Sequence, residues 1–285
     1  MESAKFHFGW ACVTVAMGML LAAASARAQD SPPASGSPTG SPAAAPTARQ
    51  ESAEDELSRR ATDPTNSPPS FAFINDVTLD YRSLADGTAI EGTGYQLRFQ
   101  PVVPFKAWGA PNIFRMTLPY QLSGPSAEGM NDVTLFDIVI LPQSWGRLGI
   151  GAVGNLVQAE KEADGHASVG PAIGFVAAAT RKLNLGLFNQ NLFGSDVAIS
   201  QIQPIAAYQL GNGWSLSLGD LQWPYDWDRD EFVSMPIGVQ LGKVLRIAGQ
   251  PMRFSVNPQY DMKDLPGSSR FKLLLPVQLL LPEKK

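Results

Sequence analysis

Most of this chain consists of short segments in which apolar and polar residues alternate, and this pattern constrains the fold strongly. In the stretch QIQPIAAYQLGNGWSLSL, from Gln201 to Leu218, every second residue on either side of the central Gly-Asn-Gly is apolar. Gln or Ser occupies most positions between them. Strand side chains alternate between two faces, and Asn-Gly turns close hairpins. The stretch therefore predicts an antiparallel hairpin with one apolar and one polar face, as in a soluble sandwich or a membrane barrel.

Similar segments recur from residue 71 to the end of the chain. Strands are predicted at about residues 71–82, 92–103, 112–122, 132–141, 146–158, 168–179, 182–192, 197–209, 213–222, 232–245, 251–262 and 270–281. Their connections alternate between tight turns, such as Trp108-Gly109, and longer polar loops, such as SLADGTAIEG after Arg82. Outer-membrane barrels have short periplasmic turns and longer outside loops, whereas a sandwich has no reason to alternate. We predict a transmembrane up-and-down antiparallel β-barrel of about twelve strands.

Aromatic residues favour the same topology. Trp and Tyr prefer the two interfaces of a membrane, where they form girdles around a barrel. One predicted girdle lies at the tight turns and the other at or beyond the opposite strand ends. The residues are Tyr81, Tyr95, Trp108, Tyr120, Trp145, Tyr208, Trp214, Trp223, Trp227 and Tyr260. The apolar strand faces between these girdles are therefore predicted to meet lipid.

The N-terminal part predicts secretion. The apolar stretch from Ala11 to Ala24 is followed by Ala26-Arg27-Ala28, a small-x-small cleavage site, so residues 1–28 are expected to be a cleaved signal peptide. Residues 29–68 are rich in Ser, Pro, Ala and Thr and are expected to form a disordered periplasmic tether before a barrel at 69–285. Within it, residues 51–60 predict either a short helix near the barrel mouth or a solvated linker end.

Composition excludes several functions. The net charge of -4 and the pI near 5.3 do not favour nucleic acid as a partner. The only cysteine, Cys12, would leave with the signal peptide, so the mature chain would have no disulfide or cysteine metal site. Neither a cofactor nor a metal is expected. The predicted partners are outer-membrane lipid, lipopolysaccharide and a small-molecule solute.

The polar strand faces contain candidate pore residues. Arg98 and Arg115 lie on adjacent predicted strands and point inward, with Asp137 on the next strand as their predicted counter-charge. Such a group is either a constriction that favours anions or a structural ion network that braces the wall. The full set of predicted pore-lining residues is Arg98, Gln100, Arg115, Thr117, Asp137, Gln201, Gln203, Arg253, Asn257 and Gln259.

Two motifs in the chain are ambiguous. The acidic cluster of Asp226, Asp228, Asp230 and Glu231 in a predicted outer loop begins like a calcium loop, but Glu231 replaces the required glycine, which excludes an EF-hand. Two interpretations of this cluster remain, a solvated loop or a site where a divalent ion bridges to lipopolysaccharide. The run from Gly149 to Gly154 matches a dinucleotide fingerprint, but no strand-turn-helix context surrounds it.

Catalysis is not expected. The chain has two histidines. His7 would leave with the signal peptide, and His166 falls in a predicted outer loop, away from any wall serine. We therefore predict that the protein is not an enzyme.

Several segments resemble one known family. They include LSRRATDPT from Leu57, YQLRFQPVVPF from Tyr95, IFRMTLPY from Ile113 and GKVLRIAGQPMRFSVNPQY from Gly242. The family comprises Gram-negative outer-membrane β-barrels labelled as transporters of the phenol-degradation meta-pathway, and sometimes mislabelled as neuromedin U. The resemblance covers residues 57–282 and implies outer-membrane transport, and the family label suggests aromatic or otherwise apolar cargo. A lumen lined by Gln, Ser, Asn and Arg favours small polar or amphipathic solutes instead.

Barrel size bears on the kind of pore. Eight strands leave a filled interior and sixteen to eighteen leave an open aqueous channel, so about twelve strands predict a narrow, partly occluded pore. We predict a narrow passive channel. The alternatives are a closed structural or surface-binding barrel without transport, and a soluble secreted sandwich.

Overall fold

The computed structural model of the chain describes residues 52–125, 128–156 and 167–282. The expected signal peptide, tether residues 29–51 and His166 lie outside these residues. In the described parts, no helix combines the length and hydropathy that are needed to span a membrane.

The described chain contains one short helix and a single sheet. The helix is α1 (Ala53–Ala61). The strands are β1 (Ser70–Tyr81), β2 (Gly94–Ala107), β3 (Ala110–Ser123), β4 (Gly129–Met130), β5 (Val133–Gln143), β6 (Gly146–Leu156), β7 (Ser168–Ala178), β8 (Leu183–Phe193), β9 (Ala198–Gly211), β10 (Trp214–Ser217), β11 (Trp223–Asp226), β12 (Glu231–Phe232), β13 (Pro236–Gly238), β14 (Gln240–Ile247), β15 (Gln250–Asp261) and β16 (Ser269–Leu280).

The sheet closes into a twelve-stranded antiparallel barrel. Each wall strand pairs with the next one along the chain, β16 pairs with β1, and the pairing of β9 with β10 completes the ring. The ninth wall strand is interrupted and consists of β10 and β11, while β13 and β14 together form the tenth. The predicted barrel architecture is confirmed, and the soluble sandwich is excluded by the closed ring.

The two faces of the wall differ in character. Large apolar side chains on the outer face are exposed, for example Phe73, Val103 and Ile173. Inside, the half of the wall from β2 to β9 carries an apolar cluster, whereas β10, β14 and β15 contribute mainly Ser, Gln, Asn and Arg. The cluster consists of Val102, Ile113, Phe136, Ile138, Ile140, Val153, Ala172, Val176, Phe188, Leu192 and Ile205. The interior is thus half apolar, which differs from the expected polar lining.

Small residues in the wall make room for this cluster. A Cβ added at Gly174 would lie 2.3 Å from Cγ of Phe188, and one added at Gly149 would lie 3.2 Å from its Cζ. Gly149 begins the run that resembled a dinucleotide fingerprint, and it lies in strand β6 of the barrel wall. Its role in the fold is to accommodate the Phe188 ring inside the barrel.

Substitution of Gly174 tests this packing. We expect Gly174→Ala to lower the free energy of unfolding of the detergent-folded barrel by about 1–3 kcal/mol, because the rigid Phe188 ring must move. Gly154→Ala is the matched control, since its Cβ would meet its nearest neighbour at an ordinary 3.5 Å. Urea titration should show the difference, and equal midpoints for the two variants would contradict this account of the core.

The ninth strand departs from the predicted span of 213–222. Pairing of β10 with β14 stops at Ser217 and Gln240, and the wall resumes with β11 at Trp223. Between them, Gly219 adopts a left-handed φ of +70°, and a Cβ there would lie 2.4 Å from Nδ2 of the inward-facing Asn257. Residues 218–222 therefore form an inward bend, which only a glycine at that position permits without strain.

Candidate functional site

The residues before the first strand form a packed segment at one barrel mouth, which we call the mouth segment (residues 52–69). Its helix, α1, begins with Ser52, whose Oγ accepts a hydrogen bond from the Asp55 backbone N at 3.1 Å. Acidic residues fill its first turn, and Arg59 and Arg60 fill its last turn. This distribution matches the cap and the dipole of a helix, and explains why so short a polar sequence is helical.

The helix is tied to the tight-turn end of the wall. Arg246 of β14 donates from Nε to Oε1 of Glu54 at 2.8 Å, and the Gly213 backbone N donates to Oδ1 of Asp55 at 2.6 Å. The hydrogen bond from Arg246 holds the pKa of Glu54 below its ordinary value. Because Glu54 is a well-hydrated carboxylate, its contribution to docking is modest; it is present above the ordinary glutamate pKa and disappears as pH falls through the lowered one.

The rest of the mouth segment crosses the lumen. Gln209 of β9 donates to Oγ1 of Thr62 at 3.2 Å, and Arg147 of β6 pairs with Asp63 and donates to Thr65 at 3.0 Å. The chain then enters β1 at Ser70. Since β14, β9, β6 and β1 lie on different sides of the ring, the segment spans the mouth.

This arrangement corrects the predicted tether boundary. Residues 52–68 were expected to belong to a disordered tether, but they are helical or packed, and Ser58, Asp63 and Thr65 are almost inaccessible to solvent. Of the two alternatives for residues 51–60, the structure has the short helix near the mouth. Composition alone predicted disorder in this stretch, since it does not show the contacts with distant strands that hold the stretch in place.

A second crossing is made by Arg98. Its guanidinium lies 3.7 Å from Oδ2 of Asp76 on the neighbouring strand and 3.6 Å from Oδ2 of Asp220 in the inward bend. Asp220 also accepts a hydrogen bond from Nε2 of Gln203 at 3.0 Å. Strand β2 and the ninth wall strand lie nearly opposite each other in the ring. The Arg98–Asp220 ion pair therefore bridges the lumen.

The predicted counter-charge Asp137 is on the wrong face. In the register of β3 and β5, Arg115 lies opposite Phe136, which is buried inside, while Asp137 lies opposite the outward Phe114 and is exposed. The prediction that Asp137 lines the pore is therefore wrong. Because faces alternate at every residue, an error of one position in the predicted phase exchanged the two faces of this strand.

The other nine predicted pore residues lie on the inner face. Gln100 donates to Oγ1 of Thr117 at 3.0 Å, and Arg253 approaches Oγ of Ser215 at 3.4 Å. Asp76 and Asp220, which complete the group, were not predicted. Asp76 alternates in phase with the inward Ile74 and Thr78 and could have been found. Asp220 depends on the inward bend, which alternation does not reveal.

These side chains surround a cavity of about 150 Å³. Part of the lining is cationic and polar, with Arg98, Arg115 and Arg253 among its residues. Apolar side chains lie next to these arginines on the same and neighbouring strands, and the mouth segment contributes Thr62 and Pro64. Among the described residues, Nε of each of the three arginines is buried and has no hydrogen-bond partner. The apolar lining residues are Ile74, Val102, Ile113, Phe136, Ile205 and Leu274.

Nine of the ten predicted girdle residues lie where two girdles would be. Trp108, Trp145, Tyr208 and Trp214 are exposed at the tight-turn end. At the other end, outward positions are held by Tyr95, Tyr120, Trp223, Trp227 and Tyr260. Tyr81 differs, because register shifts in β1 turn it inward, where its hydroxyl fills the space above Gly94.

The acidic cluster makes contacts of its own. Glu231 pairs with Lys263 at 3.1 Å, Asp230 accepts a hydrogen bond from the Tyr225 hydroxyl, and Asp226 accepts from the backbone N of Asp228 at 2.9 Å. Within residues 52–125, 128–156 and 167–282, no three His, Cys, Asp or Glu side chains are grouped as a metal site requires.

Comparison with known proteins identifies similar barrels. No protein-family model matches the chain, and no curated protein matches it. The solved COG4313 outer membrane channel from Pseudomonas putida F1 aligns with a TM-score of 0.53 and 13% identity, over 75% of this chain and 96% of that one. The KdgM porin, solved with disordered oligogalacturonate, aligns with a TM-score of 0.49 and 9% identity, over 75% and 99%. At 13% identity the likeness to the COG4313 channel concerns the fold alone.

Proposed function

We propose that this protein is a non-enzymatic outer-membrane channel through which small molecules diffuse passively. The observation that carries the proposal is the combination of a closed barrel with an exposed apolar outer face and a narrow, charged inner cavity. A barrel without free edges is one of the two structures that can span a bilayer. The protein would reach the membrane by a cleaved signal peptide, and its outer face would contact lipid and lipopolysaccharide.

The similarity to a solved outer membrane channel supports this proposal. Aromatic side chains at both ends of an aliphatic outer belt also support it, since this is the pattern that membrane interfaces select. The resemblance to the phenol-degradation transporter type favours aromatic or otherwise apolar cargo. The half-apolar interior agrees with such cargo better than a uniformly polar pore would.

Two features would make the channel narrow and selective. The mouth segment lies across one end, and the Arg98–Asp220 pair divides the lumen further inside. Three guanidiniums and one carboxylate, Asp220, line the cavity, so anions would be favoured over cations of equal size. The channel would therefore admit small solutes and exclude oligomeric ones.

Liposome swelling tests the proposal directly. Vesicles that contain the folded full chain should swell in an isotonic solution of a small solute such as glycine or a pentose, and should not swell in a trisaccharide. Protein-free vesicles provide the baseline. Absence of swelling with every solute, from protein shown to be folded by its heat-modifiable gel mobility, would overturn passive transport.

A second candidate function is a closed structural or surface-binding barrel. It is favoured by the same two crossings, which together could seal the lumen. The swelling experiment separates the two, because a sealed barrel would remain impermeable to the smallest solute.

Asp137 provides a test of lipid exposure. We expect Asp137→Leu to raise the free energy of unfolding in lipid by about 1 kcal/mol, because a carboxylate on a lipid-facing wall is unfavourable. Glu91→Leu, in the exposed loop after β1, should change it by less than about 0.5 kcal/mol. Urea titration in lipid vesicles measures both, and a destabilised Asp137→Leu variant would indicate that this face does not meet lipid.

A further inference from the structure

We propose that the luminal cavity is a binding site for a small monocarboxylate that has an apolar body, such as an aromatic or short branched acid. This inference rests on the proposed function, since the ligand would enter through the channel. It adds a defined site and a chemical class of ligand to that function.

The charge of the cavity is unbalanced. Three guanidiniums line it, from Arg98, Arg115 and Arg253, whereas Asp220 is the carboxylate among its lining residues. Arg98 shares its charge between Asp76 and Asp220 at 3.6–3.7 Å. These distances exceed the roughly 2.7–2.9 Å of a charge-assisted hydrogen bond. Arg98 therefore retains donors that a carboxylate ligand could use.

The other two arginines have less compensation. Within the described residues, no carboxylate lies within ion-pair distance of Arg115 or Arg253. The Arg115 guanidinium lies over the Phe136 ring, 4.9 Å from its centroid. Arg253, only 5% exposed, lies against Gly242, where a Cβ would come within 2.4 Å of Nη2. The glycine thus permits Arg253 to lie flat against the wall.

Unpaired donors indicate what a ligand must supply. The Nε atoms of all three arginines are buried without a partner among the described residues. A buried donor that lacks an acceptor is unfavourable, and a carboxylate matches the planar fork of a guanidinium. One monoanion would satisfy several of these donors and reduce the excess positive charge.

The apolar lining residues set the rest of the ligand. Ile74 lies across the strand pair from Arg98, and Val102 and Phe136 lie on either side of Arg115, so an apolar body would lie beside a carboxylate held by these arginines. A cavity of about 150 Å³ is large enough to hold one benzene ring. This size suits a single-ring or short-chain acid, and it excludes a polymer.

Titration calorimetry on the detergent-folded full chain tests the site with benzoate, benzamide and benzylammonium. We expect benzoate to bind about tenfold or more tightly than benzamide, and benzylammonium not to bind. Arg115→Gln should weaken benzoate binding about tenfold. Arg181→Gln, in an exposed turn outside the cavity, should leave it unchanged. The benzoate affinity of Arg115→Lys should lie between those of Arg115→Gln and Arg181→Gln, because lysine keeps the charge but loses the planar fork.

The outcomes separate this inference from the channel function. Equal affinities for benzoate and benzamide in the intact chain would overturn the carboxylate site, and that comparison needs no variant to fold. Unchanged benzoate affinity in a folded Arg115→Gln variant would overturn it as well. A chain that conducts ions but shows either result would keep the channel and lose the site. A chain that selects benzoate but does not conduct would keep the site and lose the channel.

Discussion

Deletion of residues 52–68 is expected to raise the single-channel conductance severalfold. The mouth segment spans the lumen between Arg246, Arg147 and the start of β1, so its removal opens the tight-turn end of the barrel. It also leaves two arginines at that mouth without their acidic partners. We therefore expect a larger current and a stronger preference for anions, both measured in planar lipid bilayers.

A matched deletion makes this result specific. Removing residues 31–50 shortens the N-terminal part by a similar length but retains the helix and its contacts, and it should leave the conductance unchanged. If both deletions behave like the intact chain, the mouth segment does not limit the current. Heat-modifiable gel mobility shows whether each variant has formed a barrel.

Replacement of Arg98 is expected to shift ion preference from anions toward cations. Arg98→Ala removes one of three cavity guanidiniums and leaves Asp76 and Asp220 to face the lumen with less compensation. We also expect the barrel to lose about 2 kcal/mol of stability, because a partly buried charge network is broken. The reversal potential in a salt gradient gives the first effect, and urea titration gives the second.

The opposite substitution provides the control. Asp220→Asn keeps the arginines and removes the negative charge, so the reversal potential should move toward greater anion preference. Arg181→Ala, outside the lumen, should leave it unchanged. If Arg98→Ala and Asp220→Asn shifted the reversal potential in the same direction, this would contradict an electrostatic role for the Arg98–Asp220 pair.

Much of the barrel could be predicted from alternation alone. Strand β15 was expected at 251–262 and covers Gln250–Asp261, and its arginine, serine and asparagine point inward as predicted. The tight turn at Asn212 was predicted from its sequence, and the residue adopts the left-handed φ of 53° that such turns use. Local pattern is sufficient here because each strand contrasts clearly between its two faces.

The failures occur where that contrast is weak or where long-range contacts decide. Around Asp137 both faces of β5 are apolar, so only the pairing of Arg115 with Phe136 fixes the phase. The inward bend interrupts an alternating stretch at Gly219, and its position depends on packing against β15. The mouth segment has a linker-like composition, and its order depends on contacts with Arg147 and Arg246.

The intact barrel is expected to form a narrow pore that prefers anions. Reconstitution of the full, detergent-folded chain in a planar lipid bilayer with a salt gradient tests it most directly. We expect discrete, small current steps with a reversal potential on the anion side. Absence of steps from a demonstrably folded barrel, or steps that reverse on the cation side, would contradict it.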